Sequence, residues 1–128
     1  MNLDKFEKII NESFDNKEKI NPDSDKSILD AINETIELLD QGKIRVAEKK
    51  GTEWLVNQWI KKAILLSFRI NKMKVLRGPY TTWYDKIQGK SVNWEKEDWE
   101  KNGYRHVPNG VVRKGSYIGK NVVLMPSF

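Results

Sequence analysis

The sequence contains no cysteine and a single histidine, His106. Without thiols the chain can form neither disulfide bonds nor thiolate metal ligands, and one imidazole cannot assemble a zinc site. No uncharged run reaches the length of about 18 residues that a transmembrane helix needs, and residues 1–14 are too acidic for a signal sequence. We therefore predict a cytoplasmic protein with no membrane association, no bound metal and no tightly bound cofactor.

Positive charge is scarce in the first third of the chain. Residues 1–42 carry 5 Lys and Arg against 11 Asp and Glu, whereas residues 43–128 carry 18 against 7, so a net charge of +5 conceals a basic second part. A basic surface indicates an anionic partner, which could be nucleic acid, a phosphate-bearing cofactor or a carboxylate substrate. Nucleic acid is not expected, because Trp54, Trp59, Trp94 and Trp99 occupy positions typical of core or helix-anchor residues rather than of a stacking surface.

Helical patterns dominate the sequence. The most apolar stretch has a helical period from about Gln58, so we expect it to be the central helix, packed against the rest of the domain. A second helix follows the start signal at 21–24, and Gly42 is placed to end it in a left-handed conformation. The predicted helices are residues 2–15, the segment from that start signal to Gln41, residues 58–71, and residues 94–101 with Asn93 as N-cap and Gly103 as the stop.

Extended segments lie between these helices. Residues 44–48 and 52–56 flank Lys49-Lys50-Gly51, a spacing that predicts a β-hairpin with glycine in its loop. Residues 74–76 form a short strand candidate, and residues 80–87 could be extended.

The last segment has a period of six residues. Val112, Ile118 and Leu124 occupy equivalent positions, a pattern typical of the left-handed parallel β-helix, in which three hexads make one triangular rung. Gly115, Gly119 and Asn121 fall where tight corners are needed, although three apolar residues at this spacing can also arise by chance. The predicted fold class is α+β: a mainly helical domain with a β-hairpin (residues 1–107) and the first rung of a β-helix (residues 108–128), which we expect to continue beyond Phe128.

No residues in the chain form a recognisable nucleophile–base pair. Ser67 is expected to be a packing residue and His106 a boundary residue. Arg105 stands between the last helix and the first hexad, where a guanidinium is suited to gripping a carboxylate, or alternatively to joining the two parts through a salt bridge. Arg69, at the end of the central helix, is a weaker candidate of the same kind.

Several long motifs together resemble the amino-terminal part of bacterial tetrahydrodipicolinate N-succinyltransferase. They comprise R-V-A-E-K (45–49), Q-W-I-K-K-A-I-L-L-S-F-R-I-N (58–71), Y-D-K (84–86), G-Y-R-H-V-P (103–108), V-V-R-K-G-S-Y-I (111–118) and N-V-V-L-M-P-S-F (121–128). The similarity covers nearly all 128 residues. Phe128 departs from the hexad pattern, since a small residue is usual at its position in the third hexad.

The resemblance implies a function for the complete protein. The family transfers succinyl from succinyl-CoA to the amine of the ring-opened substrate, 2-amino-6-oxopimelate, on the route to diaminopimelate and lysine. It forms homotrimers with active sites between neighbouring β-helices. Its G-[FY]-R-x-V-P arginine, here Arg105, binds the dicarboxylate, while the essential acid and the CoA groove would lie beyond Phe128. The 128-residue chain would therefore contain no catalytic residue and be inactive alone.

Two other functions fit the same residues. One is a non-catalytic binding or assembly module that retains this fold, and the other is a related hexapeptide acyltransferase, for example one that transfers acetyl. A search for a partner chain tests the first, and a comparison of succinyl-CoA with acetyl-CoA tests the second.

Overall fold

The structure, a computed structural model, describes residues 2–128. Its elements in chain order are α1 (Leu3–Asp15), a 3-10 turn (Lys17–Lys19), α2 (Lys26–Asp40), β1 (Ala47–Lys50), β2 (Glu53–Val56), α3 (Gln58–Ile70), β3 (Lys74–Arg77), β4 (Thr82–Asp85), α4 (Lys96–Asn102), β5 (Arg105–His106) and β6 (Val123–Leu124). The coarse prediction of an α+β fold is thus confirmed. Within residues 2–128, no helix is both long and apolar enough to cross a membrane.

Helices α1, α2 and α3 pack against one another and enclose the core. Ile10, Ile32 and Ile60 are fully buried, one from each helix, and Leu66 joins them from α3. Each helix places its apolar residues on one face, so the three faces meet when the helices associate. Helix α3 packs against both other helices, as predicted, although Leu65 and Phe68 remain 45% and 37% exposed on its outer side.

The end of α2 matches the sequence prediction closely. Gly42 has φ of +71°, and its N–H donates to Leu39 O while the Lys43 N–H donates to Leu38 O. This pair of hydrogen bonds is the Schellman arrangement, which satisfies carbonyls that the helix leaves without partners.

Two antiparallel hairpins extend from the helices. In the first, Ala47 pairs with Val56 and Lys50 with Glu53, so the turn is Gly51-Thr52 and the predicted 49–51 loop was placed too early. The expectation that Trp54 belongs to the core is wrong, because its side chain is 69% exposed on a strand with no second layer. In the second hairpin, β3 pairs with β4 between Lys74–Asp85 and Arg77–Thr82.

Helix α4 begins later than predicted. Glu95, rather than Asn93, occupies the N-cap, because the Glu95 side chain accepts from the backbone of Asp98 and the Asp98 side chain accepts from the Glu95 N–H. Gly103 ends the helix with φ of +67°, as predicted.

The C-terminal segment (residues 103–128) turns at regular intervals. Gly103, Asn109, Gly115 and Asn121 all have positive φ, at a spacing of six residues. After these turns β6 returns alongside β5 as a parallel strand, with Arg105 opposite Val123, an offset of 18 residues.

The three aliphatic residues of the hexads have the same degree of burial. Val112, Ile118 and Leu124 are half-buried, whereas Val111, Tyr117 and Val123 immediately before them are exposed. This alternation is the one that the six-residue pattern predicts for side chains facing the inside of a turn.

Candidate functional site at the junction of the helices and the C-terminal segment

A buried carboxylate joins the end of α2 to two later parts of the chain. Lys90 Nζ lies 2.9 Å from Asp40 Oδ2 and also donates to the Asp40 carbonyl at 2.9 Å. The Gly115 N–H donates to Asp40 Oδ1 at 2.8 Å, and Lys114 Nζ lies 3.3 Å from Oδ2. Because the Lys90 side chain is only 3% exposed, its charge depends on this carboxylate for compensation. Asp40 therefore fixes the C-terminal segment to the helical domain.

A second ion pair extends this network towards the surface. Lys114 Nζ donates to Glu37 Oε2 at 2.7 Å, and the Gln41 amide donates to Glu37 Oε1. The hydrogen bonds from Lys114 and then Gln41 lower the pKa of Glu37, with a further contribution from the charge of Lys114. Burial opposes the charged form of Lys114, but its hydrogen bond to Glu37 and the nearby charge of Asp40 outweigh burial and raise its pKa.

Beside this network lies an aromatic cluster of Trp94, Trp99 and Tyr104. The ring centroids of Trp94 and Trp99 are 4.9 Å apart, and Tyr104 lies 5.5 Å from Trp99, all in edge-to-face arrangements. Lys90 Nζ lies 5.8 Å from the Trp94 ring centroid, which connects the cluster to the ion pair. The buried Tyr104 hydroxyl has no hydrogen-bond partner within residues 2–128, and burial, followed by the charge of Asp40, raises its pKa.

Arg105 begins β5, directly after Tyr104, and has the opposite exposure. Tyr104 is buried and His106 half-buried, so the strand alternation directs the Arg105 side chain into solvent. Its backbone is held by a hydrogen bond to Val122 O, whereas its guanidinium has no ion pair with any of residues 2–128. The predicted alternative, a salt bridge between the two parts, is formed by Lys114 with Glu37 and Asp40 rather than by Arg105.

Arg69 lies elsewhere and already has a partner. Its guanidinium is 3.2 Å from Glu18, in the 3-10 turn after α1, and its side chain is 37% exposed. Neither Arg69 nor Arg105 lines any of three well-formed cavities within residues 2–128.

His106 and Ser67 both have local partners. His106 Nε2 is 2.8 Å from Gly110 O, and Ser67 Oγ donates to Ile64 O at 2.7 Å. Over residues 2–128, no group of three or more histidine and carboxylate side chains is arranged to hold a metal ion.

Sequence reasoning missed the network around Asp40. Its members are separated by 50 to 75 positions, and neither Lys90 nor Lys114 stands out among the chain's many surface lysines. The available signal was Asp40 itself, an acid in the last turn of a helix, where the helix dipole disfavours negative charge unless a cation compensates it.

Comparison with known proteins shows which sequences this chain is similar to. The sequence profile described as tetrahydrodipicolinate N-succinyltransferase N-terminal matches residues 5–70. A 2,3,4,5-tetrahydropyridine-2,6-dicarboxylate N-succinyltransferase from Pelagibacter ubique is 63% identical, over 98% of this chain and 47% of its own length. Enzymes with the same name from Agrobacterium fabrum and Paracoccus denitrificans are 48% and 46% identical. The chain spans about half the length of the curated relatives it matches.

Proposed function

Because the chain belongs to the tetrahydrodipicolinate N-succinyltransferase family through its N-terminal domain, we propose that it forms the amino-terminal portion of an N-succinyltransferase. The reaction would move succinyl from succinyl-CoA to the amine of 2-amino-6-oxopimelate, in diaminopimelate and lysine biosynthesis. The observation that carries the proposal is 63% identity to a relative of that name over nearly the whole chain. We propose a cytoplasmic location, in keeping with such a biosynthetic role.

The architecture of the complete enzyme is part of the proposal. We propose that residues 1–107 form the helical and hairpin domain and that residues 108–128 begin a left-handed β-helix, which assembles into homotrimers. Support comes from left-handed corners every six residues and from parallel pairing at an offset of 18, the length of three hexads. The pairing partner of β6 lies just before this boundary, at Arg105–His106, so the rung would pack back onto the end of the first domain.

In this reaction the chain would supply positioning rather than chemistry. The neutral amine attacks the thioester carbonyl, the carbon–sulfur bond breaks, and the amine loses a proton as the CoA thiol leaves.

We propose that Arg105 holds a substrate carboxylate, with Arg69 as a second and weaker candidate, and that no catalytic residue lies in these 128 residues. An exposed guanidinium on a backbone fixed by parallel pairing supports this role for Arg105, because orientation lowers the barrier only if the binding group is itself held in place. Arg69 would have to give up its ion pair with Glu18 to bind a substrate.

The experiment uses the complete enzyme that we propose contains these residues. Arg105→Lys is expected to raise KM for the dicarboxylate about tenfold and leave KM for succinyl-CoA within about twofold, since lysine cannot form the bidentate pair. Arg77→Lys, an equally conservative change at an exposed arginine on β3, serves as the matched control.

The proposed role of Arg105 and the proposed succinyl transfer can fail separately in this assay. An unchanged dicarboxylate KM in Arg105→Lys would remove Arg105 from the binding site. A wild-type enzyme that prefers acetyl-CoA to succinyl-CoA would overturn the proposed activity itself.

A further inference from the structure

A cavity of about 480 Å³ lies between α2, α3 and the C-terminal segment, apart from the exposed face that carries Arg105. Its walls include the apolar side chains of Ile36, Ile64, Phe68 and Ile87. Cavities of this size with apolar walls and a few polar groups are typical small-ligand sites.

The cavity rim is held in place by hydrogen bonds. Lys86 Nζ donates to Phe68 O at 2.8 Å, which joins the segment after β4 to the end of α3. Lys114 is held by Glu37 on the opposite side, and the Asn71 amide donates to Ser67 O at 2.7 Å. These bonds fix the positions of three polar side chains on the rim, Lys86, Lys114 and Asn71.

The charge of the lining is positive. Four cations, Lys74, Lys86, Arg113 and Lys114, face one acid, Glu37. Lys86, Arg113 and Lys114 have partners within the protein, Arg113 being paired with Asp85. Lys74 has none among residues 2–128, so its ammonium group is available to an anion.

Three uncharged polar side chains complete the rim. Asn33, Gln88 and Ser116 line the same cavity, and their side chains have no hydrogen-bond partner within residues 2–128. Each of them offers a hydrogen-bond donor to an anion in the cavity, while the apolar walls accept a hydrocarbon body.

From this arrangement we propose that the cavity binds a small monocarboxylate with an aliphatic body, with Lys74 as the charge partner and Phe68 as part of the apolar wall. The site is separate from the one proposed at Arg105 and does not depend on succinyl transfer. A ligand there would touch both the helical domain and residues 113–116, so it would join the same two parts that Asp40 connects.

The test uses hexanoate as the probe and the full 128-residue chain labelled with ¹⁵N, at constant ionic strength. Hexanoate is expected to shift the amide resonances of residues lining the cavity, Gln88 and Ser116 among them, in a saturable manner. Acetate and hexan-1-ol, which lack the hydrocarbon body and the charge respectively, are each expected to bind at least five times more weakly.

Variants separate this site from general attraction to a basic protein. Lys74→Gln and Phe68→Ala are each expected to weaken hexanoate binding about three- to tenfold, whereas Lys72→Gln, the same charge change two residues away, leaves it within twofold. Arg105→Gln is also expected to bind hexanoate normally, so the two proposals can fail independently. Equal affinity in Lys74→Gln and Lys72→Gln, or shifts spread over the whole basic surface, would overturn the proposal, and unchanged spectra outside the cavity confirm that each variant is folded.

Discussion

At the scale of single residues, the distinction that matters is between charged groups with internal partners and those without. Asp40 and Lys90 form a nearly dry pair, whereas Arg105 is exposed and has no partner among residues 2–128. Removing one member of a buried pair leaves the other charge desolvated without compensation, which costs far more than breaking an exposed pair. The two kinds of residue therefore give different results on mutation, the first in stability and the second in ligand binding.

Asp40→Asn is expected to lower the free energy of unfolding by about 3–5 kcal/mol, because Lys90 would stay buried without its counter-charge. Urea denaturation of the 128-residue chain measures the change. Asp30→Asn removes the same charge from an exposed pair with Lys26 on the same helix, and its cost should be at most about 1 kcal/mol. If the two variants were equally stable, the pair with Lys90 would be contributing nothing. Replacing Lys90 by Met in the Asp40→Asn background should recover part of the loss.

At the scale of elements, local sequence signals predicted the helices better than the strands. Gly42 and Gly103 ended α2 and α4 where expected, since a left-handed residue leaves a specific signature in the sequence. The start of α4 was wrong by two residues because Glu95 and Asp98 cap it reciprocally, and Asn93 is a more usual cap. The exposure of Trp54 was missed because a strand's burial depends on what packs against it, which no local pattern encodes.

The end of α2 at Gly42 can be tested by comparison with Gly51, a second glycine with a left-handed conformation but different surroundings. Gly51 has φ of +63° and nothing within 4 Å of an added Cβ, whereas a Cβ on Gly42 would lie 2.6 Å from the Tyr117 ring. Gly51→Ala should therefore cost about 1 kcal/mol, the strain of the backbone alone. Gly42→Ala should cost about 1–3 kcal/mol more, because the ring of Tyr117 must move as well.

Chemical denaturation of both variants gives the comparison. In the Tyr117→Ala background, Gly42→Ala should no longer have that additional cost, since the clash is then absent. Equal destabilisation of the two single variants would mean that Tyr117 moves aside freely, and that its contact with the end of α2 is not restrictive.

At the scale of the whole molecule, the period of six predicted the burial of the aliphatic hexad residues. Contacts between residues far apart in the chain were not predicted. Val112, Ile118 and Leu124 are each half-buried, which agrees with that period. The network of Asp40 with Lys90 and Lys114 depends on contacts between residues far apart in the chain, and the cavity beside it is shaped by α2, α3 and the C-terminal segment together. Arg105 was identified as a candidate from its motif, and its role remains a prediction.

We proposed that these residues position the substrate and that the rest of the enzyme supplies the chemistry, and the isolated chain allows a test of this. If Arg105 only positions the dicarboxylate, the purified 128-residue chain should release no thiol from succinyl-CoA above background when 2-amino-6-oxopimelate is present. The physical reason is that orientation accelerates a reaction only when both reactants and a proton acceptor are held together. The proposed complete enzyme, assayed at the same concentration, is the positive control, and amide spectra of the isolated chain establish that it is folded. Turnover by the folded isolated chain above background would show that these residues supply chemistry as well as positioning.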